Sequence, residues 1–122
     1  MKYVILMQVD PSVLEGLSEE EGQRIQSGHH AFMEATKESG EFLATNALAD
    51  PSQSVVVRGK AGSPEVTDGP FAETKEFMGG YYLVDVEDRA RAVELATMIP
   101  DAQIDGMALE IRPVMFSAGA DM

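Results

Sequence analysis

The stretch that decides the fold is KYVILMQV, residues 2–9. It is almost continuously apolar and is rich in β-branched and aromatic side chains. A short run of this kind is typical of a strand that is covered on both faces, so we predict a strand over residues 2–9 in the interior of a sheet.

The clearest helix signal follows in SEEEGQRIQSGHHAFMEATKESGE, residues 18–41. Ser18 and Glu21 have the spacing of a capping box, in which each residue satisfies a free backbone amide of the other. Acidic residues crowd the first turn, where the helix dipole favours them. Gly40 is a typical helix stop, so the pattern predicts a helix over residues 19–39.

Alternating or apolar patterns predict the other elements. They comprise a second helix within residues 87–100, which ends at Pro100, and strands at 41–48, 54–59, 65–67, 79–86 and 108–115. The turn residues of ADPSQ, 49–53, predict that the strands at 41–48 and 54–59 form a hairpin. Pro113 cannot donate a ladder hydrogen bond, which indicates an edge position for the last strand.

This element order predicts an α+β, ferredoxin-like fold, in which two helices cover one face of a mainly antiparallel sheet. We expect one domain over residues 1–116 and a flexible C-terminal tail over 117–122. The other sheet face has no helix to cover it. Because several strands are apolar on both sides, we predict that a second copy of the chain covers this face in a homodimer.

Composition narrows the possible partners and chemistry. With 122 residues and no cysteine, the chain suits a single domain without disulfides, thiolate nucleophiles or cysteine metal sites. Nine basic against 21 acidic residues give a net charge of −12, which disfavours nucleic-acid binding. No apolar run suits a signal peptide or a membrane span, so we expect a full-length cytoplasmic protein without membrane contact.

The segment TDGPFAETKE, residues 67–76, contains more chemistry than a turn requires. Asp68, Gly69, Pro70 and Phe71 are explained by a turn anchored by the aromatic ring. The charged flank that follows is not needed for this turn. It is either a solvated, salt-bridged surface or a group of carboxylates whose crowding beside an aromatic ring prepares them for acid–base chemistry.

Together with GGYYLVDVED and EIRPV, this segment resembles the DGPF branch of the YCII-related protein family, and the resemblance extends from MKYVILM to EIRPV. It implies a ferredoxin-like fold of the dimeric α+β barrel type. Most such proteins are uncharacterised bacterial proteins, suspected of enzyme activity because a His and an Asp can meet in a cleft, and the DGPF branch is often found beside sigma-factor-like regulators. The motif positions in this chain are Asp68, Gly69, Pro70, Phe71, Glu73, Thr74, Lys75, Glu76, Gly80 and Tyr81.

The predicted first helix offers two adjacent histidines. His29 falls on the apolar face with Ile25 and Phe32, whereas His30 falls about 140° away, toward solvent. Alignment with the YCII pattern slightly favours His30, but periodicity favours His29 as the inward group, and we adopt His29. The competing interpretation is a core histidine bonded to one partner.

Two functional hypotheses follow. In the first, the protein is a small-molecule enzyme or ligand-binding protein, with Asp68 as acid or base assisted by His29 and Tyr81. In the second, it is a non-catalytic regulatory dimer that binds a protein partner, such as a sigma-factor-like regulator. Adjacent histidines diverge on a helix, so we predict no metal site, and no pattern in the chain predicts a cofactor.

Overall fold

The protein is built around an antiparallel sheet with helices on one side. The computed structural model describes residues 1–69 and 76–119. In chain order the elements are β1 (Lys2–Val9), α1 (Pro11–Glu15), α2 (Glu19–Ser39), β2 (Phe42–Ala47), a 3₁₀ helix (Pro51–Gln53), β3 (Val55–Lys60), β4 (Ser63–Asp68), β5 (Phe77–Asp85), α3 (Arg89–Thr97), a 3₁₀ helix (Pro100–Gln103) and β6 (Ala108–Pro113).

The main sheet has the strand order β2-β5-β1-β6, and every pairing is antiparallel. The interior position predicted for residues 2–9 is confirmed, because β1 pairs with β5 on one side and β6 on the other. Pro113 ends β6 at the sheet edge, as its missing N–H requires.

The predicted bounds of the long helix are also confirmed. Ser18 caps α2 by accepting from the Glu21 amide at 3.1 Å, and the Glu21 carboxylate accepts from the Ser18 amide at 3.1 Å. At the other end Gly40 adopts the left-handed conformation, with φ of 80°. Both ends are therefore set by local side-chain chemistry that is readable in the sequence.

Both long helices pack on the same face of the main sheet. The side chains of Tyr3, Ile5, Tyr82 and Val84 point to this face and form one buried cluster with residues of the helices. The helix members of the cluster are Phe32 of α2 and Ala92, Leu95 and Ala96 of α3. The α+β class with a mainly antiparallel sheet is confirmed and is consistent with a ferredoxin-like fold.

The opposite face of the sheet carries the alternate residues of the same strands. Val4 lies opposite Leu83, and Leu6 lies opposite Tyr81, and all four side chains are only partly buried. In the described part of the chain, both long helices contribute to the cluster on the other face. We call this surface the open face.

The predicted hairpin between residues 41–48 and 54–59 is wrong. β2 pairs with β5, whereas β3 pairs with β4 in a separate two-stranded ribbon. The segment between β2 and β3 forms a 3₁₀ helix capped by Asp50 instead of a tight turn. The hairpin turn lies at Ala61 and Gly62, whose φ angles of 50° and 79° are those of a type I′ turn.

Two smaller differences concern segment lengths. The short strand predicted at 65–67 is the centre of the longer β4, because it pairs along the whole of β3. The short helix α1 was not predicted; Pro11 begins it, and the Asp10 side chain caps it. Among residues 1–69 and 76–119, no helix has the length and apolar character needed to cross a membrane.

Candidate functional site

His29 is the centre of a hydrogen-bonded group on the helix-covered side of the sheet. Its Nδ1 lies 2.7 Å from the Tyr82 hydroxyl, and its Nε2 lies 2.9 Å from Oδ1 of Asp101. The Tyr82 ring is also parallel to the His29 ring at 5.8 Å between centroids and meets Phe32 edge-on at 4.8 Å. The imidazole is therefore held at both nitrogens and along its ring.

A glycine–proline contact brings the two halves of this group together. A side chain at Gly28 would place its Cβ 2.4 Å from Cγ of Pro100, which is closer than two non-bonded carbon atoms can approach. The 3₁₀ helix Pro100–Gln103 can therefore lie directly against α2 only because residue 28 has no Cβ. His29 and Asp101 are the next residues on each side, so the contact places them opposite one another.

Burial and charge determine the protonation of the Tyr82 phenol. Burial, with a smaller contribution from the Asp101 charge, raises the pKa of Tyr82 from 10.0 to about 12, so the phenol is protonated at neutral pH. An ionised Asp101 carboxylate can only accept hydrogen bonds. When the His29 ring is neutral, it donates from Nε2 to an ionised Asp101 and accepts at Nδ1 from the Tyr82 hydroxyl.

Asp101 is unusual because it is a buried carboxylate with one oxygen unused. Its side chain is only 7% exposed, and Oδ1 bonds to His29. Among the described residues, Oδ2 has no hydrogen-bond partner, yet no fully buried polar side-chain atom is left without one. Oδ2 therefore keeps some accessible surface, and Asp101 is one of the residues that line a cavity.

That cavity has a volume of about 280 Å³ and lies between β1, α1, α2 and the segment around Asp101. His29 and Asp101 provide its polar wall, and the other side chains that line it are Val9, Leu14, Leu17, Ile25 and Met107. A second cavity of about 400 Å³ shares Leu17 and Ile25 with the first. Its charged lining residues are Glu21, Arg24 and Asp105.

The structure separates the catalytic residues predicted from the sequence. His29 lies at the centre of the buried group, whereas His30 is exposed. Tyr81 is on the open face, where its hydroxyl accepts from Nδ2 of Asn46 at 2.7 Å. Asp68 is exposed at the end of β4 in the two-stranded ribbon and is not a partner of His29.

The motif residues around Asp68 are only partly described. Gly69 donates its amide to the Ser54 carbonyl at 2.8 Å, and Glu76 is exposed. Gly80 is buried and packs so closely on β2 that a Cβ would lie 2.7 Å from the Asn46 carbonyl oxygen. Pro70, Phe71, Glu73, Thr74 and Lys75 lie outside the described residues, so their predicted roles stay predictions.

Comparison with known proteins identifies the family of this chain. Residues 1–116 match the YCII-related domain. The chain belongs to the YCII-related family. It is also 32% identical over 114 residues to an uncharacterized protein of Rhizobium meliloti (strain 1021), covering 93% of this chain and 92% of the relative.

Sequence reasoning on this YCII-related chain did not identify Asp101. The residue follows Pro100, which was interpreted only as the end of a helix, and it lies 72 positions from His29. The available signal was an acidic residue at a helix-stopping proline beside the apolar Ile99, in a region where a solvated carboxylate was the simpler interpretation. The adjacent Tyr81, and not Tyr82, was predicted as a site residue.

Metal binding is the other chemistry that histidine and carboxylate side chains can support. Within residues 1–69 and 76–119, no three His, Asp or Glu side chains are grouped so that they could hold a metal ion. His29 and Asp101 form a hydrogen-bonded pair, and the protonated phenol of Tyr82 is the third member of the group. The arrangement is suited to holding and moving protons.

Proposed function

We propose that this protein is an acid–base enzyme for a small molecule that binds in the cavity beside His29 and Asp101. The observation that carries the proposal is the buried Asp101 carboxylate, which bonds to His29 through Oδ1 and lines the cavity. A carboxylate oxygen without a hydrogen-bond partner can accept a proton from a ligand bound beside it.

The three groups support one kind of reaction. Asp101 removes a proton from the ligand at Oδ2, which leaves a neutral carboxylic acid and an anionic ligand. The acid then returns the proton to a different atom of the ligand, so that the result is an isomerisation. His29 positions Asp101 throughout, because its Nε2 holds Oδ1, and Tyr82 holds the ring in the tautomer that can donate to Asp101.

The proposal retains one of the catalytic residues predicted from the sequence and replaces the other two. His29 remains at the centre, and Asp101 and Tyr82 supply the carboxylate and phenol that the sequence had assigned to Asp68 and Tyr81. Direct roles for Asp68 and Tyr81 in the reaction stay predictions, and Asp68→Asn and Tyr81→Phe variants belong in the activity measurements.

The proposal includes a homodimer formed through the open face. Val4, Leu6 and Leu83 give this surface an apolar centre, and burying it against a second copy would form the two-sheet arrangement implied by the family. The proposed location is the cytoplasm, where a chain without cysteine has no need of disulfides.

A second candidate function is favoured by the ribbon of β3 and β4. Val55, Val57 and Val66 are 63%, 66% and 65% exposed, and Val57 lies directly opposite Val66. Exposed apolar side chains grouped on one strand pair are typical of surfaces that contact other proteins. Because Asp68 ends this ribbon, a regulatory dimer that presents the motif to a protein partner is the alternative.

Deuterium exchange tests the enzymatic proposal. Cyclohexanone in D₂O is followed by NMR with the wild-type protein, with Asp101→Asn and with His30→Gln as the control for an exposed histidine on the same helix. We expect the wild type and His30→Gln to accelerate deuteration beside the carbonyl, and Asp101→Asn to lose at least about 100-fold of that acceleration, as for a general base. Equal rates for wild type and Asp101→Asn would contradict the proposal.

A further inference from the structure

The side chains that line the cavity beside Asp101 are apolar except for two. Five apolar side chains form its walls, namely Val9, Leu14, Leu17, Ile25 and Met107. Its polar side chains are His29 and Asp101, and both His29 nitrogens already have partners. A ligand therefore meets one available polar atom on these side chains, which is Oδ2 of Asp101.

This lining restricts the chemistry of the ligand. Apolar walls cannot hydrogen-bond to polar groups, so each additional polar group of a ligand loses water without compensation. A negatively charged ligand would also be repelled by the Asp101 carboxylate. An ammonium group has three N–H donors for the single free oxygen, whereas one hydroxyl, N–H or acidic C–H matches it.

The absence of a side chain at Gly22 maintains the space. Gly22 lines the cavity within α2, and a Cβ built on it would have no atom within 4 Å. Glycine inside a helix is less favourable than alanine. Gly22 therefore leaves open space at the cavity wall despite this unfavourable helix propensity.

We infer that this cavity selects compact, uncharged, mainly apolar molecules that present one acidic or hydrogen-bond-donating hydrogen to Asp101. The inference rests on the proposed function, because it assigns the substrate class of the same acid–base centre. It excludes carboxylates and phosphates as the part of the substrate that enters the cavity.

A ligand series with one ring tests the class. Cyclohexanol, methylcyclohexane, cyclohexanecarboxylate and cyclohexylamine are titrated at neutral pH while the methyl signals of Leu14, Leu17 and Ile25 are followed by NMR. We expect cyclohexanol to bind tightest and methylcyclohexane about tenfold more weakly, because a hydrogen bond to a charged acceptor is lost. The carboxylate and the amine are expected to bind more weakly than cyclohexanol. Tighter binding of either charged compound, or no binding by cyclohexanol, would overturn the inference.

A cavity-filling variant locates the binding. Gly22→Leu places a side chain in the open space, and Ala35→Leu introduces the same side chain at an exposed position of the same helix. We expect Gly22→Leu to weaken cyclohexanol binding at least tenfold and Ala35→Leu to leave it unchanged. Equal affinity for the two variants would place binding elsewhere and overturn the inference.

The binding and deuterium-exchange measurements distinguish a failure of the ligand class from a failure of the acid–base proposal. Binding is measured on the resting protein and does not require proton transfer. If cyclohexanol binds as expected while Asp101→Asn leaves deuterium exchange unchanged, the acid–base proposal fails and the ligand class stands. If exchange depends on Asp101 but the charged ring compounds bind tightest, the centre stands and the ligand class fails.

Discussion

The two faces of the four-stranded sheet differ most clearly at two neighbouring tyrosines. Tyr82 points to the helix-covered face, is 2% exposed and bonds to His29, and its pKa is raised to about 12. Tyr81 points to the open face, is partly exposed and accepts from Asn46. Both residues are tyrosines of β5, so the differences between them come from their surroundings.

The comparison shows that burial, more than residue type, sets the hydrogen bonds and the pKa of Tyr82. On the helix-covered face, hydrogen bonds among Tyr82, His29 and Asp101 take the place of hydrogen bonds to water. On the open face, Val4, Leu6 and Leu83 present apolar surface that a second sheet can cover. One face therefore carries the proposed acid–base group, and the other carries the proposed dimer surface.

The largest expected difference between the faces is in folding stability. Ile5 is fully buried, whereas its neighbour Val4 is partly exposed on the open face. We expect Ile5→Ala to lower the free energy of unfolding by about 2–5 kcal/mol because it leaves a cavity in the core. Val4→Ala should cost less than about 1 kcal/mol in the monomer, since part of its surface is already exposed.

Urea unfolding at low protein concentration measures both changes. Similar losses for Ile5→Ala and Val4→Ala would mean that both faces are buried even in dilute solution. The same measurement at high concentration sharpens the comparison, because a dimer formed through the open face makes the Val4→Ala loss depend on concentration.

A smaller effect is expected where α2 contacts Pro100. Gly28→Ala forces the 3₁₀ helix away from α2, because the new Cβ overlaps Cγ of Pro100. We expect a loss of about 1–3 kcal/mol in unfolding free energy from overpacking. NMR of the imidazole nitrogens should also show that the His29 Nε2–H no longer donates to Asp101.

Gly22→Ala is the matched control on the same helix. Its Cβ meets no atom within 4 Å, so this substitution should stabilise the protein slightly through helix propensity. If Gly28→Ala were as stable as Gly22→Ala and kept the His29 hydrogen bonds, the close contact with Pro100 would not be what positions Asp101.

The smallest effect separates the two tyrosines directly. Tyr82→Phe removes a buried hydroxyl and leaves Nδ1 of His29 without its donor, so we expect a loss of about 1–2 kcal/mol. Tyr81→Phe should change stability by less than about 0.5 kcal/mol, as is usual for exposed positions. Thermal or urea unfolding of the two variants at neutral pH gives the comparison.

Alkaline pH gives a second measure of Tyr82. Its pKa in the folded protein lies above the ordinary tyrosine value of 10.0, so its stabilising contribution is complete below pH 10 and is lost as the pH rises toward about 12. Tyrosinate absorbance should show a late ionisation step that disappears in Tyr82→Phe. A late step that persists in this variant would assign it to another tyrosine.

The parts of the fold that depend on local patterns were predictable. The central strand follows from continuous apolar character in residues 2–9, and both ends of α2 follow from the capping box and Gly40. The hairpin was misassigned because two turn signals compete in this region. The Asp50–Pro51 pair begins a 3₁₀ helix. The Ala61–Gly62 pair, which is a weaker turn signal in the sequence, forms the hairpin turn between β3 and β4.

The candidate site was only half predictable. His29 could be found because the helical period that places it inward is local. Its partner Asp101 is distant in sequence, and the contact that joins them depends on the shapes of Gly28 and Pro100. Nothing in the pattern around Asp101 distinguishes a buried carboxylate from a solvated one.

The Gly28–Pro100 contact also limits how this protein can evolve. A mutation at either position alone disturbs the other, so the two codons are expected to change together: a larger residue at 28 is tolerable only with a smaller one at 100. Among relatives, paired variation at these two positions would then mark lineages that keep the histidine–aspartate contact. Independent variation would mark lineages in which selection on that contact has been relaxed.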